Sequence, residues 1–256
     1  MQLQTKTKQS IPPAGESCCP ILELRQYTLH PGQRDVLIEL FDREFIETQE
    51  VLGMSAIGQF RDMDDPDHFV WLRGFQDMRS RARGLKAFYT GPVWKAHRDV
   101  ANATMIDSDD VLLLHPVRPR SGFSLGRMHR NPPGSTSLPE GLCLATTYYF
   151  DAPDEGFAGF FERSIRPQVT QAGATVLGCF ETEHSSNNYP DLPIREGVQV
   201  FAWFAIFKSY AAYQFYAAAL AGSQEWRRAA MELTDRITGR PEELRLTPTA
   251  RSRLHA

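Results

Sequence analysis

The chain has 256 residues, 42% of them hydrophobic and 23% charged, with a formal net charge of −3. That length can bury one large core or two ordinary domains. The charge leaves no basic surplus to neutralise phosphates, which excludes nucleic acid as the main partner. No apolar run reaches the roughly 18–20 residues that a membrane span needs.

Residues 1–19 read as a flexible polar tail, with neither the apolar stretch of a secretory signal nor the arginines of a mitochondrial presequence in Met1–Ser10. Ile21–Leu29 is β-favouring and alternating, and predicts a strand. After the turn His30-Pro31-Gly32, Val36, Leu37, Leu40, Phe41 and Phe45 recur at helical spacing and predict a helix over 34–50, ended by Gly53. Strands follow over 55–61 and 68–75, separated by the acidic turn Asp62–Asp67. Asp77 reads as the N-cap of a helix to Tyr89. Pro92 suits the first turn of a second helix running to about Met105. Val111–Pro116 closes the unit, whose order β-α-β-β-α-β is ferredoxin-like. The Arg-, Pro-, Gly- and Ser-rich residues 118–141 read as a linker. The second half repeats the order: strand 142–150, helix 155–172, strands 174–183 and 197–207, helices 209–220 and 223–238, strand 242–247.

The two halves are one unit used twice. Trp71 and Trp94 return as Trp203 and Trp226 at a 132-residue step, as do Phe75 as Phe207 and Pro116 as Pro248. Upstream the step is 120, relating Phe41 to Phe161, Gly53 to Gly173, Gly58 to Gly178 and Phe60 to Phe180. The difference of 12 is an insertion in Ser185–Gly197. A ferredoxin-like sheet bears helices on one face only, so its bare face must be covered. Two bare faces meeting in one chain make a barrel with helices outside. The expected fold class is therefore α+β, two tandem ferredoxin-like repeats forming a pseudo-dimeric α/β-barrel, with domains over 20–117 and 142–256. Parity along the strands places Leu22, Leu24, Val70 and Leu72 toward the helices. It turns Glu23, Arg25, Tyr27, Phe69, Trp71, Arg73 and Phe75 into the barrel, with Cys143, Ala145, Thr147 and Tyr149 from the second half.

Four cysteines are too few for a disulfide framework. Cys143 and Cys179 read as buried thiols. The pair Cys18-Cys19 ends the tail with no second Cys/His pair at zinc spacing. This usage suits a reducing cytoplasm. His68, His97, His115, His129 and His184 show no His-x-x-x-His or Glu-x-x-His spacing, so neither a metal nor a cofactor is expected. Arg79, Arg81 and Arg83 read as a solvated helix face, and Trp94 and Trp226 as structural.

The string Glu23-Leu24-Arg25-Gln26-Tyr27-Thr28-Leu29-His30-Pro31-Gly32 resembles the opening signature of the NIPSNAP family. Gly58-Gln59-Phe60, Phe75-Gln76-Asp77 followed by Arg79, Arg81 and Arg83, and Gly91-Pro92-Val93-Trp94 extend the resemblance over about residues 21–116. The second half resembles the same domain faintly. The resemblance implies a dimeric α/β-barrel in tandem form. That superfamily includes cofactor-independent monooxygenases, haem-degrading enzymes, isomerases, dehydratases and proteins without assigned chemistry. It transfers no catalytic residues, because the family has no agreed set.

The residues themselves nominate Arg25, Tyr27 and Glu23 as catalytic. A buried arginine must be paired, and Arg25 could grip a substrate carboxylate or enolate. Tyr27 could donate to a developing oxyanion, and Glu23 could shuttle a proton if burial raised its pKa. An internal Glu23–Arg25 pair that fixes barrel closure is the competing reading. Phe60, Phe69, Trp71, Arg73, Phe75, Tyr149 and Trp203 could line an aromatic substrate pocket, or be core. Two functions follow. One is an enzyme that isomerises, cyclises, dehydrates or oxygenates an aromatic or polyketide-like carbonyl compound inside the barrel, with Ser185–Gly197 as a lid. The other is a non-catalytic binding or scaffold protein with a side-chain-filled barrel. A small-molecule ligand and a homodimer of the tandem chain are the expected partners, with no nucleic acid and no membrane.

Overall fold

A computed structural model of the chain describes residues 17–126 and 128–256. The expected tail lies outside the described residues up to residue 16. The first repeat runs β1 (Ile21–Leu29), α1 (Arg34–Leu40), a π-helical turn (Phe41–Phe45), α2 (Ile46–Val51), β2 (Ser55–Asp62), β3 (His68–Phe75), α3 (Met78–Tyr89), α4 (Pro92–Thr104) and β4 (Met105–Pro116). The second runs β5 (Leu142–Phe150), α5 (Phe157–Phe160), a π-helical turn (Phe161–Ile165), α6 (Arg166–Gln171), β6 (Thr175–Thr182), β7 (Gln199–Phe207), α7 (Tyr210–Gly222), α8 (Gln224–Thr234) and β8 (Glu242–Pro248). The π turns fall at the 120-residue step, so the repeat extends to a local irregularity of the helix. The expected cap forms, the Asp77 carboxylate accepting from the Ser80 N–H at 2.6 Å, and the Ser209 hydroxyl caps the matching helix of the second repeat, accepting from the Ala212 N–H at 3.2 Å.

The eight strands close a barrel in the order β1-β3-β2-β8-β5-β7-β6-β4, every pairing antiparallel. Two short seams join the halves. Phe60, Arg61 and Asp62 of β2 face Pro248, Thr247 and Leu246 of β8, and Leu114, His115 and Pro116 of β4 face Thr182, Glu181 and Phe180 of β6.

The barrel interior is an apolar core. Leu22, Leu24, Phe60, Val70, Leu72, Leu112 and Leu114 of the first half meet Cys143, Ala145, Phe180, Val200, Ala202, Phe204 and Leu246 of the second, all nearly without accessible surface. Close-packed interiors are filled in this way. The parity of the second half is as expected, with Cys143, Ala145 and Tyr149 on the barrel side. The parity of the first half is the reverse of the expectation. Tyr27, Phe69, Trp71 and Phe75 lie in a separate core with Leu37, Phe41, Phe45 and Phe88 of the helices. The physical reason is that two sheets face to face leave a closed, dry interior, which takes the leucines.

Two further expectations are corrected. Cys19 is no part of a free tail: it packs in the barrel core, and the Cys18 N–H donates to the Phe123 carbonyl at 2.8 Å. The stretch 118–141 is more than a linker, since Phe123 and Leu125 enter the same core beside Leu254. The Arg253 guanidinium, bonded to the carbonyls of Leu125 and Met128, ties that segment to the chain's end.

Bulges at Ala56–Gly58 and Val176–Gly178 bend β2 and β6 at equivalent places. A Cβ at Gly58 would lie 2.6 Å from the Phe60 ring and 3.2 Å from Leu254, and one at Gly178 would lie 2.8 Å from the Phe180 ring. Both rings are locked in the core. Gly58→Ala and Gly178→Ala should therefore each destabilise the protein by about 1–3 kcal/mol through overpacking, read from urea unfolding. A neutral effect at both positions would refute this account of the bulges.

Candidate functional site between sheet and helices

Glu23, at the start of β1, is wholly buried and binds three guanidinium groups. Its Oε2 accepts from Arg25 Nη1 at 3.0 Å and from Arg73 Nε and Nη2 at 3.0 and 2.6 Å, and its Oε1 accepts from Arg81 Nε at 2.7 Å. All four side chains are fully buried. Strand geometry dictates the first two contacts. Arg25 is two residues along the same strand face, and Arg73 is the direct cross-strand partner of Glu23. Arg81 comes down from α3, where Arg81, Gly84, Leu85 and Phe88 form the buried face.

The remaining donors fan outward. Arg25 Nε donates to the Tyr27 hydroxyl at 2.9 Å, and Arg73 Nη1 donates to the Gln49 amide oxygen at 3.1 Å. Arg81 Nη1 donates to the amide oxygens of Asn187 and Asn188 at 3.0 and 2.8 Å. The guanidinium carbons of Arg25 and Arg73 lie 5.6 and 4.9 Å from the centre of the Trp71 ring, within cation–π range. Burial alone would raise the Glu23 pKa, but Arg73, Arg25 and Arg81 hold it well below the carboxylate range. The condition for the expected proton-shuttle role of Glu23 is therefore not met. Burial pushes the Tyr27 phenol up, against the opposing pull of Arg25, and keeps it a neutral donor.

The second repeat builds the same layer without ions. Arg25 pairs across with Trp71 as Thr146 does with Trp203, and Glu23 with Arg73 as Leu144 does with Ala205. Arg81 corresponds to Tyr213 and Gln49 to Val169. Tyr27 corresponds to Tyr148, which accepts from Trp203 Nε1 at 3.1 Å, whereas Trp71 Nε1 has no partner. The helix–sheet layer thus folds with an apolar core, as replacement of buried ion groups by hydrophobic residues would allow. The ions of the first half are an addition to the fold, not a requirement of it.

Beside the cluster lies a void of about 30 Å³ walled by Tyr27, Trp71, Arg73, Gln49, Phe41, Phe45 and Phe88. It shares Tyr27, Tyr89, Trp94 and Met105 with an outer cavity of about 330 Å³ that opens past Asn102, Ser108, Asp109, Tyr189, Asp191, Leu192 and Pro193. The roof of the outer cavity is the insertion between β6 and β7. This loop of the second repeat crosses onto the first, packs Tyr189, Leu192 and Ile194 against its core, and stacks Tyr189 on Tyr89 at 6.0 Å and 20°.

Of the residues expected to form a site, the structure brings together Glu23, Arg25, Tyr27, Trp71 and Arg73, with Phe69 and Phe75 packed behind them. It does not bring Phe60, Tyr149 or Trp203 to the same place. Phe60 is in the barrel core. Trp203 lies in the helix layer of the second repeat. Tyr149 sits in a separate network, donating to Glu242 at 2.7 Å and accepting from Arg195 at 2.9 Å. Sequence reasoning missed Arg81, which is buried rather than solvated, and Gln49, Tyr89, Asn187 and Asn188. The spacing 81, 84, 85, 88 on one helix face was the available signal for Arg81. Among the described residues no group of three or more His, Cys, Asp or Glu side chains is placed to hold a metal, and no helix is long and apolar enough to cross a membrane.

Removing the shared carboxylate leaves three buried cations without a counter-charge. Glu23→Gln should lower stability at pH 7 by about 3–5 kcal/mol. Because the folded pKa of Glu23 is depressed, its contribution is complete above the unfolded value of about 4.3 and fades as pH falls below it. Unfolding free energies of wild type and Glu23→Gln should therefore converge below about pH 4.3. A gap that stays constant from pH 7 to pH 3 would count against the charge role.

Residues 22–119 match the family model described as NIPSNAP. No match is found among curated proteins. Among solved structures, a candidate monooxygenase from Fusobacterium nucleatum subsp. nucleatum aligns over 90% of this chain and 93% of its own, with a TM-score of 0.57 and 10% identity. An anthrone oxidase-like protein aligns over 92% and 95%, with a TM-score of 0.55 and 12% identity. A candidate monooxygenase from Lactobacillus acidophilus aligns over 91% and 97%, at 0.51 and 12%. At these identities the likeness is one of fold, and it spans both repeats. The cluster around Glu23 therefore lies in the part of the chain, residues 22–119, that matches the NIPSNAP family model, and a second repeat closes that part into a tandem barrel.

Proposed function

We propose that the chain binds, and chemically transforms, a small aromatic or polyketide-like carbonyl compound in the cleft between the first sheet and its helices, not inside the barrel. The observation that carries this reading is that an outer cavity of about 330 Å³ and an inner void of about 30 Å³ share Tyr27, Tyr89, Trp94 and Met105 in their walls. Concave sites of a few hundred Å³ with convergent polar groups are where ligands bind, and the wall of the outer cavity carries Asn102, Ser108, Asp109 and Asp191. Tyr89, Trp94 and Tyr189 supply aromatic wall to the outer cavity.

At the base, the Tyr27 hydroxyl accepts from Arg25 and keeps its own proton free for a ligand. That proton is aimed by a fixed guanidinium, so Tyr27 is set to donate to a carbonyl oxygen as it gains negative charge, in a site where such a bond is worth more than in water. Arg25 acts through Tyr27 and Glu23 as a positioning residue. The void has no carboxylate or imidazole in its wall. This favours a substrate acidic enough to react as its own enolate, as in isomerisation or cofactor-independent oxygenation, over one that needs a strong base. The names carried by the neighbours of like fold are consistent with this choice and support it only by analogy.

The filled barrel interior favours the other reading, a binding or scaffold protein without chemistry. Oxygen uptake with 1,8-dihydroxy-9-anthrone separates the two. The enzyme reading expects consumption above the rate in buffer, reduced about 100-fold in Tyr27→Phe with the unfolding midpoint little changed. No acceleration, together with native mass spectra that show bare protein after incubation with the anthrone, would leave the scaffold reading standing.

A further inference from the structure

The polar groups around the inner void are unbalanced. Arg25, Arg73 and Arg81 share one carboxylate, so the buried cluster holds three positive charges against one negative. Around the void itself the imbalance is one of donors over acceptors. The indole N–H of Trp71 is buried without a partner. Tyr27 accepts from Arg25, and its own proton has no acceptor among the described residues. Arg73 Nη1 meets only a neutral amide, that of Gln49. Farther from the void, Arg81 Nη1 meets only the neutral amides of Asn187 and Asn188, and Arg81 Nη2 has no partner.

Buried donors without acceptors are costly, and uncompensated buried cations more so. The second repeat shows that this layer can be built without either, with Leu144, Thr146 and Ala205 in place of Glu23, Arg25 and Arg73. An arrangement that the fold does not need and that lacks acceptors and negative charge is complementary to a group that supplies both. We propose that the ligand of this cleft is an anionic aromatic compound, and that its carboxylate or enolate oxygens occupy the inner void against Arg73, Trp71 and Tyr27. This rests on the cleft being the binding site, and names the class of molecule it takes. A void of about 30 Å³ has room for two water-sized groups, which the two oxygens of a carboxylate match. Asp109 and Asp191 stand exposed at the outer rim. Their field is screened by water, but it repels an anion at the mouth and so turns the acidic end inward. A planar guanidinium takes such a group in a forked grip.

The pair 1-naphthoate and 1-naphthamide tests this on the intact chain. The two share ring and shape and differ in charge. Binding is read by quenching of tryptophan fluorescence, since Trp71 and Trp94 line the cleft. The naphthoate should bind about 10-fold tighter, equivalent to about 1.4 kcal/mol. Arg73→Gln should remove that preference, and Tyr89→Ala should weaken both probes alike. If Arg73→Gln fails to fold, the wild-type preference decides alone. Equal or tighter binding of the amide overturns the anionic class while leaving the cleft as the site. Failure of both probes to quench, in the wild type and in a chain with residues 187–194 replaced by a short glycine linker, overturns the class and the cleft together.

Discussion

One carboxylate, that of Glu23, fixes the position of three guanidinium groups that come from β1, β3 and α3. Each of those arginines then fixes something else. Arg25 aims the Tyr27 hydroxyl, Arg73 orders Gln49 on α2, and Arg81 ties down the loop from the other repeat through Asn187 and Asn188. Because Glu23 is fully buried, little water screens these contacts, and the geometry is over-determined by two oxygens serving four nitrogens. Preorganisation of this kind is what places a neutral phenol and a cation at fixed points around a void before any ligand enters.

The location of the site follows from packing. Two twisted sheets closed into one barrel bring their inner faces together, and leucines, phenylalanines and small residues fill that space. Helices laid across the outside of a twisted sheet cannot match it everywhere, and gaps arise where the helix layer lifts away. In the first repeat the gap lies among Tyr27, Trp71, Phe45 and Phe88. In the second repeat Tyr148, Phe157, Phe161, Phe201 and Trp203 pack in the corresponding layer. The overall fold is shared with proteins at 10–12% identity, so it says little about chemistry. What is particular to this chain is the charge set placed in one of two equivalent layers.

Most of the architecture was legible in the sequence. The repeated tryptophans, the glycines at matching positions and the capping residue Asp77 all report local backbone demands that hold wherever the chain goes. The face of each first-half strand was not read correctly, because polar residues were assigned to an enclosed cavity that packing does not leave open. The repeat itself contained the remedy. Trp71 lies opposite Arg25 and Trp203 opposite Thr146, so Arg25 and Thr146 must share a face. The inward assignment of Cys143 and Ala145 then demands Leu22 and Leu24 inward. Arg81 was hidden by its neighbours Arg79 and Arg83, which are exposed as three arginines in five residues suggest, although its helical phase matched Leu85 and Phe88. The reach of the 185–197 loop across to the other repeat has no periodic signature, and depends on contacts that only the closed barrel creates.

The loop over the cleft belongs to the half of the chain that has no charged cluster. In a symmetric pair of identical subunits, every gain on one side would be copied on the other. Covalent fusion removes that restriction. One copy could keep the arginines while the other lost them and lengthened a loop instead, so that the halves became complementary instead of equivalent. The result is a cleft whose floor and roof come from different repeats and are separately variable. On the function proposed above, changes in the floor would alter how a ligand is held, and changes in the roof would alter which ligands are admitted, each with little penalty to the other.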